Sequence, residues 1–518
     1  MRNNGGRIVL AIDLGTGGPK AALVTLDGDL VGHTFEPTEV SVLPGGGAEQ
    51  DPAAWWSAIT TAVTRLVDQA TGEVEPTDIA AVAVTGQWSG TVAVDEKGEP
   101  LAPAVIWMDD RGAPHIREVV GGRVNVLGYD PRKLQRWIRL TGGAPSLSGK
   151  DSIAHILFLK EERPDVYRAA RWFLEPVDHL NQRLTGVAVS SYDCIVAHWL
   201  TDNRSRATVA YDAQLLEWCG IDRGTLPDLV PSASVVGGLV EAVADEWGLP
   251  PGIPVVTASG DVHSAVAGCG AVGDLDGHLY LGTSSWLSCH VAKRGTDLRH
   301  NMAALPSALP GRWFLANEHE TAGGCLLHLR DRLNIVDDLE EANAVAATAP
   351  AGSHRLVYTP WLNGERTPVD DHTIRGGWTN LALAHDRSDL VRSVFEGVAL
   401  NSRWLLDVVE SYVKRPFPWL NVIGGGAQSD LWCQIHADVL DRPIRRVVDA
   451  QHAGARGAAT IAAVALEAAT PEACASKVRV EREFRPDRGN RPMYEDLYQA
   501  FRRLYKANKP IHARLNRA

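Results

Sequence analysis

At 518 residues the chain exceeds what one hydrophobic core usually supports, so two large domains with sub-lobes are expected. Its 45% hydrophobic and 22% charged residues suit a folded core, and a net charge of −12 with no Lys/Arg block speaks against nucleic acid as a partner. Seven cysteines (Cys194, Cys219, Cys269, Cys289, Cys325, Cys433 and Cys474) without a CxxC pair suit buried reduced thiols better than a disulfide framework or a zinc site.

The N-terminal MRNNGGR leads into an apolar run broken at Asp13, too short for a signal peptide. No stretch approaches the roughly 18 apolar residues of a membrane span, so no membrane partner and a cytoplasmic location are expected. Residues 7–30 read as a β-hairpin: the strand IVLAID, a tight glycine turn, the run AALVTL and the turn signal LDGD. A helix follows in AEQDPAAWWSAITTAVTRLV (Ala48–Val67), with Asp51 placed to cap and Pro52 suited to the first helical position. IAAVAVTG is a buried strand ending at Gly86, and PVVTASGD and GHLYLGTSSWL supply two more short strands. Helical stretches near 322–331 and 388–413, a strand-to-glycine step at LNVIGGGAQSD and the Ala-rich helix GARGAATIAAVALEAA complete an order that repeats the first half in outline. A boundary near 265–275 follows, with a basic, helical tail beyond about residue 485.

The repeat includes a duplicated turn: LGTGG at Leu14–Gly18 and LGTSS at Leu281–Ser285. A strand that ends in Gly and Thr exposes several backbone N–H groups and a hydroxyl at one point, a nest suited to phosphate oxygens. A plain hairpin turn explains either copy alone. The pairing, with Asp13 just before the first copy and Lys20 just after it, favours a clamp on one polyphosphate. Two other nucleotide motifs fail. In GTGGPK, Lys20 stands where GxGxxG needs its third glycine, and in GAPSLSGKD (143–151) Ala144 and Asp151 stand where a P-loop needs Gly and Ser/Thr.

The runs AIDLGTGGPKAAL, GGGAEQDPAAWW, VTGQWSG, VIWMDDR, SGDVHSAVAGCGAV, YLGTSSWLS, PWLNGERTPV, RGGWTNLALAHDRSDLVRSVFEGVAL and GGGAQSDLWCQIHADVLDRPI, spread over about residues 8–465, resemble the FGGY carbohydrate kinases and most closely their xylulose kinase branch. The resemblance implies an α/β fold of two actin-like ATPase (ribonuclease H-like) lobes with an interlobe catalytic cleft. Residues 1–270 would form the N-terminal lobe with the sugar side and the first phosphate loop, residues 271–485 the C-terminal lobe with the second phosphate loop and the adenosine site, and residues 486–518 a helical extension.

Residue by residue, the resemblance makes Asp261 the catalytic base, although an Asp there also suits a helix cap. Asp13 would hold Mg²⁺ beside the phosphates, with Asp261 a second carboxylate toward the metal. Thr16, Gly17, Lys20, Gly282, Thr283 and Ser284 become phosphate-loop candidates. Gly323 and Gly324, and Gly425, Gly426, Ala427 and Ser429 of GGGAQSD, become nucleotide contacts, since three glycines let a flat ring approach the backbone.

The sugar side departs from the family pattern. Where xylulose kinases commonly show GQMHG, Gln87, Trp88, Ser89 and Gly90 stand here, so the Met and His are replaced: Trp88 offers an apolar face and Ser89 a small hydroxyl. Val262 replaces an Asn after the catalytic Asp, with His263 the candidate to compensate. Trp107 is the expected pocket wall, whereas Arg111 suits a structural pair with a carboxylate at least as well as a sugar contact. His155, Phe158 and Asn380 also depart from common family residues.

The expected function is Mg-ATP-dependent phosphorylation of a primary hydroxyl of a pentulose or related sugar, D-xylulose first. The alternatives are a kinase for another ketose or polyol (ribulose, erythritol- or glycerol-type), an actin-like ATPase of the chaperone or filament kind, and a catalytically degenerate sugar-binding sensor, which Val262 favours. Expected partners are a small-molecule sugar and ATP, with a homodimer left open.

Overall fold

The computed structural model describes residues 8–516, and the N-terminal segment weighed above as a signal peptide lies outside the described residues. The expected hairpin forms from strands β1 (Ile8–Gly15) and β2 (Gly18–Thr25), extended by β3 (Leu30–Phe35). Helix α1 (Pro52–Ala70) starts as its residues demand: Asp51 accepts from the Ala53 N–H and Pro52 opens the first turn. β4 (Ile79–Gly86), β5 (Val235–Gly238), β6 (Pro254–Val256) and β7 (Ser259–Gly260) complete a seven-stranded sheet. Its order is β5-β6-β4-β1-β2-β3, with β7 beside the end of β4. Helix α2 (Asp261–Gly268) leaves β7 directly.

The second half repeats the plan. β8 (His278–Leu281) and β9 (Ser285–Ser288) form a hairpin, and helices α3 (Gly324–Asp331) and α4 (Arg387–Val413) follow. β10 (Leu420–Ile423), α5 (Asp430–Leu440), β11 (Ile444–Val447), α6 (Ala453–Ala465), β12 (Val480–Phe484) and α7 (Arg491–Leu515) complete it. Its five strands run in the order β9-β8-β10-β11-β12. In both sheets one hairpin strand also pairs in parallel with a later strand, β1 with β4 and β8 with β10.

β1 is apolar on both faces because both faces are covered. Ile8, Leu10, Ile12 and Leu14 pack with Trp55, Ile59, Val63 and Leu66 of α1. Val9 and Ala11 pack against Ala455, Ala458, Ala459 and Ala462 of α6, whose small side chains let a helix from the far end of the chain lie close on the first sheet. Conversely, Ala265 and Val266 of α2 belong to the second lobe's core. The two helices cross in reciprocal glycine contact: a Cβ on Gly268 would fall 1.8 Å from the Ala453 carbonyl oxygen, and one on Gly457 1.8 Å from that of Ser264. Each lobe therefore lends the other a helix.

The tail beyond residue 485 forms α7, and its Tyr494, Leu497, Tyr498, Phe501 and Tyr505 are part of the second lobe's core. All seven cysteines are free and buried. Among the described residues no helix is long and apolar enough to cross a membrane.

Candidate active site

Three parallel strand ends bring the first set of candidates together. Asp13 pairs with Thr85, and Thr85 with Ser259, so Asp13 on β1, Gln87 just past β4 and Asp261 just past β7 gather at one edge of the sheet. This is where open α/β sheets place their ligands. Across the hairpin Asp13 faces Lys20, with Nζ 3.8 Å from Oδ2. On its other side, a Cβ on Gly454 of α6 would lie 3.0 Å from the same oxygen.

The first turn is held open by glycine and fixed by its neighbours. Gly18 takes φ +135°, and a Cβ there would fall 2.0 Å from the Glu36 carbonyl oxygen, so no other residue fits. Thr16 accepts twice: its hydroxyl from Trp107 Nε1 at 3.0 Å and its carbonyl from Gln50 Nε2 at 2.9 Å. Gly17 borders open space.

The second turn is tied to a helix start. The Gly282 N–H donates to the Ser284 carbonyl, the Gly323 N–H to the Gly282 carbonyl, and the Ala322 and Gly324 N–H groups to that of Thr283. A Cβ on Gly323 would stand 2.5 Å from the Gly282 oxygen, so this glycine is a packing requirement of the turn. In the third glycine segment Gly424 takes φ +93° against the Leu281 carbonyl, and Gly425 borders open space. Ala427 and Ser429, expected as nucleotide contacts, are otherwise engaged: Ala427 is fully buried, and Ser429 caps α5 by accepting from the Trp432 N–H at 3.0 Å.

Asp261 opens α2, its Oδ1 accepting from the Val262 N–H at 2.8 Å. Burial first, then the charges of Asp13 and of Glu318 from the second lobe, push its carboxyl up to about 7, against the opposing Val262 hydrogen bond and Lys20. The arrangement can take a proton near neutral pH.

Trp88 and Ser89 lie beside it. The Trp88 ring packs on Gly260, where a Cβ would approach to 3.0 Å, and its Nε1 donates to the Cys194 carbonyl at 2.8 Å. Ser89, at φ +64°, donates to the Lys150 carbonyl at 3.2 Å. The next two candidates are held by core packing. Val262 packs against the second lobe's core. His263 is completely buried, 4.7 Å from the Phe314 ring and 5.4 Å from that of Trp88. Arg111 is structural, bonded to buried Asp109 at 2.6 Å and to Glu49 at 2.5 Å. Asn380 meets its position by adopting φ +72°, which Asn tolerates.

The residues that sequence reasoning missed span the cleft. Lys150 of the first lobe pairs with Glu320 of the second at 3.0 Å, Arg366 binds Glu320 and Glu318 at 2.5 Å each, and the Arg366 guanidinium lies 5.6 Å from the Trp107 ring centroid. Burial would raise the Glu320 carboxyl, but Arg366 and Lys150 override it and hold the group at about 2. Buried Glu365 is pushed up to about 8 by burial. The signal for Lys150 was the P-loop-like stretch, and for Glu365 and Arg366 the run PWLNGERTPV, which marked a region without singling out a residue.

Comparison with known proteins covers both lobes. The family model described as "FGGY family of carbohydrate kinases, N-terminal domain" matches residues 8–268, and its C-terminal counterpart matches residues 279–466. A xylulose kinase of Staphylococcus epidermidis is 28% identical over 98% of both chains, and one of Streptomyces coelicolor is 30% identical over 88% of both. The crystal structure of a gluconate kinase from Lactobacillus acidophilus superposes with a TM-score of 0.85 over 98% of this chain and 99% of its own, at 22% identity, a likeness of fold.

Proposed function

The chain belongs to the FGGY family of carbohydrate kinases, two actin-like lobes that serve phosphorylation of a sugar by ATP, and from that premise we propose that its acceptor is a pentulose, D-xylulose first. The observation that carries the reading is Asp261, set between the lobes beside Asp13 and Glu318 with its carboxyl near 7. The name xylulose kinase, carried by relatives aligned over 98% and 88% of their length, adds xylulose to it.

In the proposed reaction Asp261 accepts the proton of the sugar's primary hydroxyl as that oxygen bonds to the γ-phosphorus and the bond to the ADP oxygen breaks. Backbone N–H groups of the two turns, with the Thr16 and Thr283 hydroxyls, offer hydrogen bonds to phosphate oxygens. Lys20 adds positive charge on the first-turn side. Closure of the lobes keeps water from competing for the phosphoryl group.

Asp13 and Asp261 suit Mg²⁺, which takes one or two carboxylates and completes its shell with phosphate oxygens and water, so a three-ligand protein cage is not required. When bound, the ion would offset phosphate charge. Gly425 would border the adenosine. We place the enzyme in the cytoplasm, where its donor ATP is abundant.

A second reading, a kinase for another ketose or polyol, is favoured by Trp88 and Ser89, which stand where the family pattern has Met and His. ADP formation over a panel of ketoses, aldoses and polyols tests both readings. Highest kcat/KM with D-xylulose supports the first. A preference for ribulose, erythritol or glycerol replaces it with the second, and ADP release indifferent to every polyol overturns both.

A further inference from the structure

Two buried polar atoms of the cleft meet no hydrogen-bond partner among the described residues: Gln87 Oε1 and Arg366 Nη2. The orientation of the Gln87 amide follows from its neighbours. The Thr16 carbonyl can only accept, so Gln50 must turn Nε2 toward it and Oε1 toward Gln87, which answers with Nε2 at 2.8 Å and leaves its own Oε1 bare. Arg366 commits Nε to Glu320 and Nη1 to Glu318, which leaves Nη2. Its backbone is fixed too: Glu365 Oε1 accepts from the N–H groups of both Arg366 and Glu320, while Asn401 Nδ2 holds Oε2.

These atoms belong to one closed ring of contacts that crosses the cleft twice. From Gln87 it runs through Gln50 and Thr16 to Trp107, then to Arg366 over the Trp107 ring. It continues through Glu320 to Lys150 and returns by the Lys150 carbonyl to Ser89, two residues from Gln87. The bare acceptor lies on the first lobe and the bare donor on the second. A planar guanidinium suits the second place because it can hold two carboxylates and still present N–H groups, which a lysine cannot do in the same geometry.

We propose that Arg366 is a specificity-determining residue of this kinase, donating from Nη2 to an oxygen of the bound sugar while Gln87 Oε1 accepts from one of its hydroxyls. The inference rests on the sugar-kinase reading above but not on which sugar is preferred. It requires a polyhydroxy acceptor long enough to present a hydroxyl proton to one lobe and an oxygen lone pair to the other. Such an acceptor draws the lobes together and ties closure to its own presence.

The test compares wild type with Arg366→Lys, which keeps a charge for Glu318 and Glu320 but loses the free N–H groups, and with Lys150→Met, which breaks the lobe-to-lobe ion pair but leaves Nη2 in place. kcat and KM are measured for the best sugar of the panel, for its monodeoxy analogues and for ATP. Arg366→Lys is expected to raise the sugar KM about tenfold or more, the scale of a hydrogen bond from a charged donor, with the ATP KM unchanged. One deoxy analogue, already lacking the contact, should be insensitive to Arg366→Lys. Lys150→Met should not reproduce that single-analogue signature. If Arg366→Lys unfolds the chain, the pair Arg366→Gln with Glu318→Gln removes both charges together and must give the same signature. A common factor across all sugars and analogues, or the same signature from Lys150→Met, overturns this inference alone. Wild-type turnover on no sugar overturns the acceptor reading and this inference with it.

Discussion

The two copies of the LGT turn share a sequence but not their surroundings. Two residues before the glycine of each copy, the first turn has Asp13 facing Lys20 across the hairpin, whereas the second has Tyr280 facing Trp286, stacked at 3.8 Å and 7°. The first turn is wired outward, through Thr16 to Trp107 and Gln50 on the sugar side. The second is wired back into its own lobe, where Gly282 and Thr283 carry the start of α3. A duplicated backbone nest has thus been given charge and acceptor contacts in one lobe, and apolar stacking with a rigid helix mount in the other. Similar turns can offer similar N–H groups to phosphate while differing in what else they sense.

This contrast can be broken experimentally, most severely at Asp261. Asp261→Asn should lower kcat about a hundredfold to ten-thousandfold while sugar and nucleotide still bind, because the base is lost and little volume changes; near-normal turnover would return Asp261 to a helix-start role. Since the unprotonated carboxylate is the base and its pKa is raised to about 7, kcat/KM should climb as pH rises through about 7. Glu318→Gln removes one of the charges that raise it and should move this limb to lower pH.

Asp13→Ala should come next, with crippled turnover and an altered Mg²⁺ titration, since the first hairpin carries a carboxylate where the second has Tyr280. An unchanged titration would make Asp13 a structural partner of Lys20. Gly323→Ala probes the second turn. Its methyl meets the Gly282 carbonyl at 2.5 Å, and relieving that contact costs about 1–3 kcal/mol and shifts the turn, so the ATP KM should rise about tenfold with the sugar KM nearly constant. Trp107→Phe should show the reverse at smaller size. It removes one hydrogen bond to Thr16, worth about 0.5–1.5 kcal/mol, and should lower sugar kcat/KM several-fold with little change for ATP. Equal effects of the last two variants on both substrates would abolish the distinction between the turns.

Local chemistry was legible along the chain. The apolar run of β1, the Asp51 cap with Pro52, the glycines at 18 and 424, and the repeat of hairpin and later strand all depend on neighbours within a few residues or on a period that sequence displays. Asp13, Thr16, Asp261 and the LGTSS turn stand out in the sequence for that reason. Less legible is a residue's direction where it depends on a distant partner. Val262 and His263 follow Asp261 in sequence, but a helical residue points about 100° around from the one before it, so Val262 packs on the second core and His263 against Phe314 and Trp88. The three glycines beside Ala427 and Ser429 are visible in the sequence, but that Ala427 is core and Ser429 caps α5 is not.

The sequence by itself determined the family, the two-lobe plan and the segments that meet at the cleft, because each is written in short runs whose order and spacing survive without knowledge of contacts. Only the tertiary structure decided that α6 lies on the first sheet and α2 in the second core, that Glu318 loads Asp261 from across the cleft, and that Lys150, Glu320 and Arg366 join the lobes. Charge pairing and burial act through space over a few ångströms, and the groups concerned lie far apart along the chain, Val9 and Ala455 by 446 positions.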